Sequence, residues 1–230
     1  MSGDEHNYRL ATLQRFGLDQ EDLLTWRRSG LPSEAFEDWL TDRVARRPSG
    51  TRARQAYGAD DVHDFARRAI LDKLRLRPGD RLLELGCGGG LLLRDALGSG
   101  AHATGLDHSE DMVELTRERA PGSDVVLGKA ESLPFPADEF TAVAMSIVFA
   151  FFDHPVIVLR ECHRVLDRGG KLAVYTTGAE LRGTPAAPEP VASHTHFHTD
   201  DELAELARSA GFADVTVEND GGGQLLFARA

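Results

Sequence analysis

The sequence predicts an α/β fold, a largely parallel sheet with helices on both faces, and three observations predict it. Short apolar runs at 82–85, 102–106, 124–127, 140–146 and 171–177 alternate with stretches of helical spacing. The first run breaks on Gly86, Gly88, Gly89 and Gly90, then resumes at once as a leucine-rich stretch over 91–97, which is strand, glycine turn, helix. The second run ends on Asp107, about the twenty-residue distance at which a carboxylate reaches a ribose diol in nucleotide-binding βαβ units.

In chain order, the first fifty residues carry two helical patterns. One rests on Leu10, Leu13 and Phe16; the other follows a Pro32-Ser33 start with Phe36, Trp39, Leu40 and Val44. Residues 1–56 therefore read as an N-terminal helical extension, a packing element or dimer contact on one reading and a lid on the other, and residues 57–230 as the main domain. The five arginines between 43 and 54, with Pro48, Ser49 and Gly50, read as a solvated, mobile linker. Val62, Phe65, Ala66, Ala69, Ile70 and Leu74 space as a helix beside the sheet, and Pro78-Gly79-Asp80 turns into the first strand.

Ser109 caps the helix after Asp107, with Glu110 and Asp111 in its positive first turn. Pro155 opens another at its favoured first position, running through Leu159, Cys162 and Val165 to Gly169-Gly170. Residues 177–198 form a proline-bearing insertion of the kind that selects substrates. Thr199 and Glu202 make a capping box for a helix that Gly211 ends, and 215–217 and 225–227 give two last strands paired as a hairpin across 219–223.

A chain of 230 residues buries one full α/β core with little left for a second domain. A formal net charge of -11 offers no general basic surface, so the expected partner is a small molecule rather than nucleic acid or membrane. The polar start of the chain lacks a signal core, no apolar run reaches the ~18 residues of a membrane span, and only Cys87 and Cys162 are present. The expectation is a cytoplasmic monomer or homodimer without disulfides.

The glycine spacing narrows the nucleotide. A dinucleotide fingerprint places a glycine at the sixth position so that a pyrophosphate sits on the helix N-terminus, and here that position is Leu91. Glu84, at the end of the first strand, would repel a pyrophosphate but suits a ligand carrying an ammonium group. S-adenosylmethionine has that ammonium and no phosphate.

Four segments then stand in order: Glu84-Leu-Gly-Cys-Gly-Gly-Gly90, Gly105-Leu-Asp-His-Ser-Glu-Asp-Met112, Gly128-Lys-Ala-Glu-Ser-Leu-Pro-Phe135 and Arg160-Glu-Cys-His-Arg-Val-Leu-Asp-Arg-Gly-Gly170. From about Tyr57 onward the chain resembles the class I S-adenosylmethionine-dependent methyltransferases, in the branch with the ubiquinone and menaquinone enzymes and many small-molecule enzymes of specialised metabolism. The resemblance implies a Rossmann-like, doubly wound seven-stranded sheet with the last strand antiparallel. It implies S-adenosyl-L-methionine as cofactor, S-adenosyl-L-homocysteine as product, and a lid from the N-terminal end. It assigns cofactor contacts to Tyr57, Glu84, Gly86, Cys87 and Gly88, to Asp107, His108 and Met112, and to Ala130, Glu131 and Ser146. One position departs: Lys129 stands where the family offers an Asp to adenine, and a lysine cannot accept from the amino group, so Glu131, backbone or water must.

For the acceptor, Phe149, Phe151 and Phe152 form an apolar wall where some relatives carry His, Asn or Asp, which suits an aromatic or lipophilic metabolite. His194, His196 and His198 alternate and so face one way in an extended segment, as candidates for a general base. A metal site on the three has no further ligand, and none is expected. Two rival readings keep the fold: a cyclase or rearrangement enzyme using the same cofactor, and a non-catalytic cofactor-binding protein.

Overall fold

The computed structural model describes residues 3–59, 63–219 and 223–230. Its centre is a seven-stranded sheet in the order β3-β2-β1-β4-β5-β7-β6. The strands are β1 (Arg81–Leu85), β2 (His102–Asp107), β3 (Asp124–Leu127), β4 (Phe140–Ser146), β5 (Leu166–Thr177), β6 (Ala213–Asn219) and β7 (Gly223–Arg229). The first five pair in parallel, and β7 runs antiparallel to both β5 and β6. The expected hairpin pairing is present; its turn, and Val62 of the helix pattern, lie outside the described residues.

Helices cover both faces, and the residue parity of β1 shows why. Leu83 and Leu85 pack with α8 (Pro155–Val165) and α9 (Asp200–Ser209), while Leu82 faces α5 (Asp64–Leu74) and α6 (Leu91–Gly98). Both faces of the central strand are dry, and each fully buried leucine contributes roughly 1.5–3 kcal/mol relative to exposure. The capping box of Thr199 and Glu202 and the Ser109 cap of α7 (Glu110–Arg119) are both formed. Gly169 and Gly170 lie inside β5, which begins at Leu166 and whose pairing with β4 shifts register between Phe140 and Ala142 of that strand; the expected helix end there is a bulge.

The N-terminal extension has its own core, in which Leu13, Leu23, Phe36 and Leu40 are buried with Trp26. Its helices are α1 (Gly3–Arg15), α2 (Gln20–Ser29), α3 (Phe36–Thr41) and α4 (Gly50–Tyr57). Two differences from the sequence reading stand out. Helix α2 was not expected, although Asp19 and Asp22 form a capping box and Gly30 closes it in the left-handed conformation. The arginine-rich stretch is ordered structure rather than a solvated linker, because its charges are taken up by carboxylates. Arg43 meets Asp22 at 2.7 Å, Arg52 meets Asp19 at 2.9 Å and Arg54 meets Glu118 at 2.7 Å. Ala53 then packs on Met112 and Leu115, seating α4 on α7. Among the described residues no helix is long and apolar enough to cross a membrane.

Candidate active site

The carboxyl ends of β1, β2 and β4 meet at one edge of the sheet, where an open α/β fold presents its loops to a ligand. The turn after β1 closes there because Gly86 adopts φ +68°, and a Cβ on it would stand 2.8 Å from Val148 Cγ2. The Gly86 amide donates to the Leu106 carbonyl at 2.7 Å, tying this turn to β2.

Asp107 organises both turns. One carboxylate oxygen accepts from the Gly88 amide at 2.9 Å and the other from the Ser109 amide at 2.9 Å. Each oxygen keeps a second lone pair, and the side chain lines a cavity of about 850 Å³.

Glu84 is 3% exposed. Burial, and then the Asp107 charge, push its carboxyl well above the usual range; Arg67 and the Leu93 backbone oppose them. Its Oε2 has no hydrogen-bond partner. A side cavity of about 60 Å³ borders it, shared with Arg67, Gly86, Cys87, Gly88 and Ser146. A buried carboxylate oxygen without a donor, beside a glycine turn that brings backbone close, fits an ammonium group. S-adenosylmethionine fits this donor set: Glu84 toward its ammonium, Asp107 toward its ribose diol.

The other expected cofactor residues fall as follows. Tyr57, Gly86, Gly88, His108, Met112, Ala130, Glu131 and Ser146 all line the large cavity. The Tyr57 hydroxyl is pushed up to about 12 by burial and by the Asp107 charge. Cys87 instead turns its thiol into the core 3.6 Å from Thr116 Oγ1, where burial, then Asp107 and Glu84, raise its pKa well above normal. Lys129 is exposed.

Chain from the extension closes over this half. The Ser109 hydroxyl donates to the Pro48 carbonyl at 2.7 Å, a His108 ring nitrogen bonds the Arg46 carbonyl, and the Gly50 amide donates to Asp111 at 2.7 Å. Phe16, Val44 and Ala45 continue as cavity wall. Phe151, Phe152, Ala187, Val191 and Phe197 give the cavity an apolar surface, with Asp153, His154, Thr176, Thr177 and Thr195 also in its wall.

Two expectations on the acceptor side are corrected. Phe149 is fully buried in the core, edge-on to Phe152 at 6.1 Å, because a short 3-10 turn over Phe149–Phe151 rotates it inward; it does not line the cavity. Thr195 and Phe197 line the cavity and the three histidines do not; His194 closes a 3-10 turn over Val191–His194, and only from Thr195 is the segment extended. His194 sits 3.7 Å from Glu37 and 3.5 Å from Asp38, fastening the insertion to α3. His196 meets Asp153 at 3.2 Å. His198 packs edge-on to Phe149 at 5.9 Å, and burial lowers its pKa. The histidines that do line the cavity, besides His108, are His63 and His154. No local pattern marks either one, since tertiary packing alone brings them there.

Residues 83–174 match the family model described as a methyltransferase domain. The chain is 37% identical over 149 residues to the demethylmenaquinone methyltransferase of Beutenbergia cavernae, an overlap of 65% of this chain and 59% of that relative. It thus spans less than two thirds of that relative's length. A crystal structure of an S-adenosylmethionine-dependent methyltransferase from Aquifex aeolicus superposes with a TM-score of 0.65 at 20% identity, covering 78% of this chain and 97% of that one. The [4+2]-cyclase SpnF does so with a TM-score of 0.60 at 23% identity, covering 80% and 86%. At such identities these two likenesses speak for the fold. The glycine turn, Glu84 and Asp107 lie inside or beside the segment that matches the methyltransferase-domain model, and over that segment the chain is similar to S-adenosylmethionine-dependent methyltransferases.

Proposed function

We propose that this protein transfers the methyl group of S-adenosylmethionine to a small, apolar, ring-bearing molecule. The observation that carries the reading is the single cavity of about 850 Å³ that joins the Asp107 end to the apolar surface under the N-terminal extension. The cofactor supplies a methyl group on a positively charged sulfur. The chain's own part is to hold the diol and ammonium, to seat the acceptor against Phe151, Phe152 and Phe197, and to exclude water with Phe16, Val44 and Pro48 as roof. Holding two reactants about 3–3.5 Å apart in register supplies roughly 7–11 kcal/mol of the barrier without acid or base.

On this reading residues 1–56 act as a lid, fastened through Pro48, Gly50 and His194. The demethylmenaquinone methyltransferase name of the Beutenbergia cavernae relative fits a lipophilic ring acceptor. Isothermal titration calorimetry tests the cofactor assignment. S-adenosylmethionine and S-adenosylhomocysteine are expected to bind and NAD not to; NAD binding with no response to either sulfur compound would overturn it. A cyclase on this fold would give a product of unchanged mass, whereas methyl transfer adds one methyl.

A further inference from the structure

The large cavity and the small one beside Glu84 share a boundary of five residues: Tyr57, His63, Gly86, Gly88 and Ser146. A ligand with its ammonium at Glu84 and its ribose at Asp107 carries its reactive centre between the two, past this boundary. His63 is the one member of the boundary whose side chain takes up a proton near neutral pH. It caps α5 at φ +51°, with its ring edge-on to Phe65 at 6.3 Å, and among the described residues no carboxylate pairs with it. His154, by contrast, is an exposed cap of α8 beside the solvent-facing pair of Asp153 and His196.

We propose that His63 is a catalytic base that takes the proton from a ring hydroxyl of the acceptor, so that the acceptor is a phenol or enol. This inference rests on the methyl-transfer reading above. The hydroxyl proton passes to the neutral imidazole. The acceptor oxygen forms its bond to the methyl carbon with a lone pair, and the carbon–sulfur bond breaks with its electron pair left on sulfur. The positive charge thus moves from sulfur to His63, which returns the proton to water after product release.

Burial supports the role, since it lowers the His63 pKa and keeps the ring neutral and able to accept at physiological pH. The ionisable groups that share the small cavity with it are Tyr57 from α4, Arg67 from α5, Glu84 from β1 and Cys87 from the turn after β1, and the large cavity adds Asp107 and His108 from the end of β2, Lys129 and Glu131 after β3, Asp153 and His154 before α8, and Asp42, Arg46 and Arg47 from the extension. Tyr57 is held protonated by its own raised pKa, and Arg67 is engaged by Asp64 and by Asp95 at 2.9 Å.

The test compares His63→Asn with the unmodified protein, because asparagine accepts the left-handed backbone that this position requires. Methylation of 2-naphthol and of the more acidic 4-nitrophenol is followed with methyl-labelled S-adenosylmethionine. We expect turnover of 2-naphthol to fall by about 10² to 10⁴ and that of 4-nitrophenol by at least about tenfold less, since it ionises without help. S-adenosylhomocysteine affinity stays within about threefold. The native rate rises with pH through a limb below the ordinary histidine value of about 6.5, and the variant loses that limb. His63→Gly, which also fits the backbone, is expected to regain 2-naphthol turnover with added imidazole. In the complex with S-adenosylhomocysteine, 2-naphthol shifts the His63 imidazole resonances. Equal losses for both phenols, an unchanged pH limb, or methylation of amines with no phenol accepted would overturn the proposal and leave the cofactor reading intact. Failure to bind S-adenosylhomocysteine would overturn that reading as well.

Discussion

Replacing Glu84 by Gln separates what this side chain costs the free protein from what it contributes to the ligand. In the free protein Glu84 is 3% exposed, its Oε2 is unpartnered, and Arg67, the cation whose charge acts on it, is already engaged by two aspartates. Its folded pKa lies well above the usual value, so the folded state binds the proton more tightly than the unfolded one. Below the ordinary glutamate value both states are protonated and nothing is lost. As pH rises from there toward the folded value, stability falls. Gln removes that dependence, so the stability advantage of Glu84→Gln should grow with pH across the same window.

The ligand reverses the sign. An ammonium at Oε2 favours the carboxylate, and charged hydrogen bonds contribute about 1.5–3 kcal/mol, so the variant should bind S-adenosylhomocysteine roughly 10- to 150-fold more weakly. Calorimetry in buffers of different ionisation enthalpy should show proton release on binding to the native protein and none at this site in the variant. Thermal unfolding across pH reads the stability side. Native-like affinity in Glu84→Gln, or proton uptake on binding, would refute the reasoning.

Gly89→Ala places a Cβ 2.0 Å from the Tyr57 carbonyl, a backbone atom that cannot swing aside, so α4 should lift from the loop and S-adenosylhomocysteine affinity should fall at least about tenfold by calorimetry. His194→Ala and His196→Ala should keep turnover within a few-fold, because neither ring lines the cavity; a loss of about 10² or more in either would restore the base role that the geometry removes. Lys129→Ala should leave cofactor affinity within a few-fold, since an exposed charge contributes little, and a larger loss in calorimetry would give the lysine a direct part in adenine binding.

The parts legible in the sequence were those where one local pattern decides the outcome. Leu82 to Leu85 bounded by glycines, Asp107 at the end of the next strand, the Ser109 cap and the Thr199–Glu202 box all follow from near neighbours in the chain. Helix α2 carried equally local signals in Asp19, Asp22 and Gly30, but its apolar face is only Leu23 and Trp26 with Asp22 buried among them, too sparse to read as periodicity. The arginine run was misread because Asp19, Asp22 and Glu118, which take up its charge, are distant in sequence.

The acceptor side was the least legible. Alternation predicts one extended segment for His194, His196 and His198, yet His194 closes a 3-10 turn over Val191–His194 and the three rings meet different neighbours, while the Ala150 carbonyl accepting from the His196 amide at 2.7 Å fixes how the segment docks. Phe149 likewise reads as wall or core until the turn is known. His63 carries no sequence signal, because what matters about it is the junction of two cavities.

The central claim, that one cavity brings the methyl of S-adenosylmethionine to an apolar ring, is tested most directly by mass spectrometry with trideuteromethyl-labelled cofactor. The purified protein is incubated with it and with 2-naphthol, 4-nitrophenol and a set of apolar ring compounds bearing amine or acidic carbon positions. The account predicts a product carrying the trideuteromethyl group, formed one for one with S-adenosylhomocysteine. Binding of the cofactor with no label transferred to any of them, or a rearranged product of unchanged mass, would contradict it.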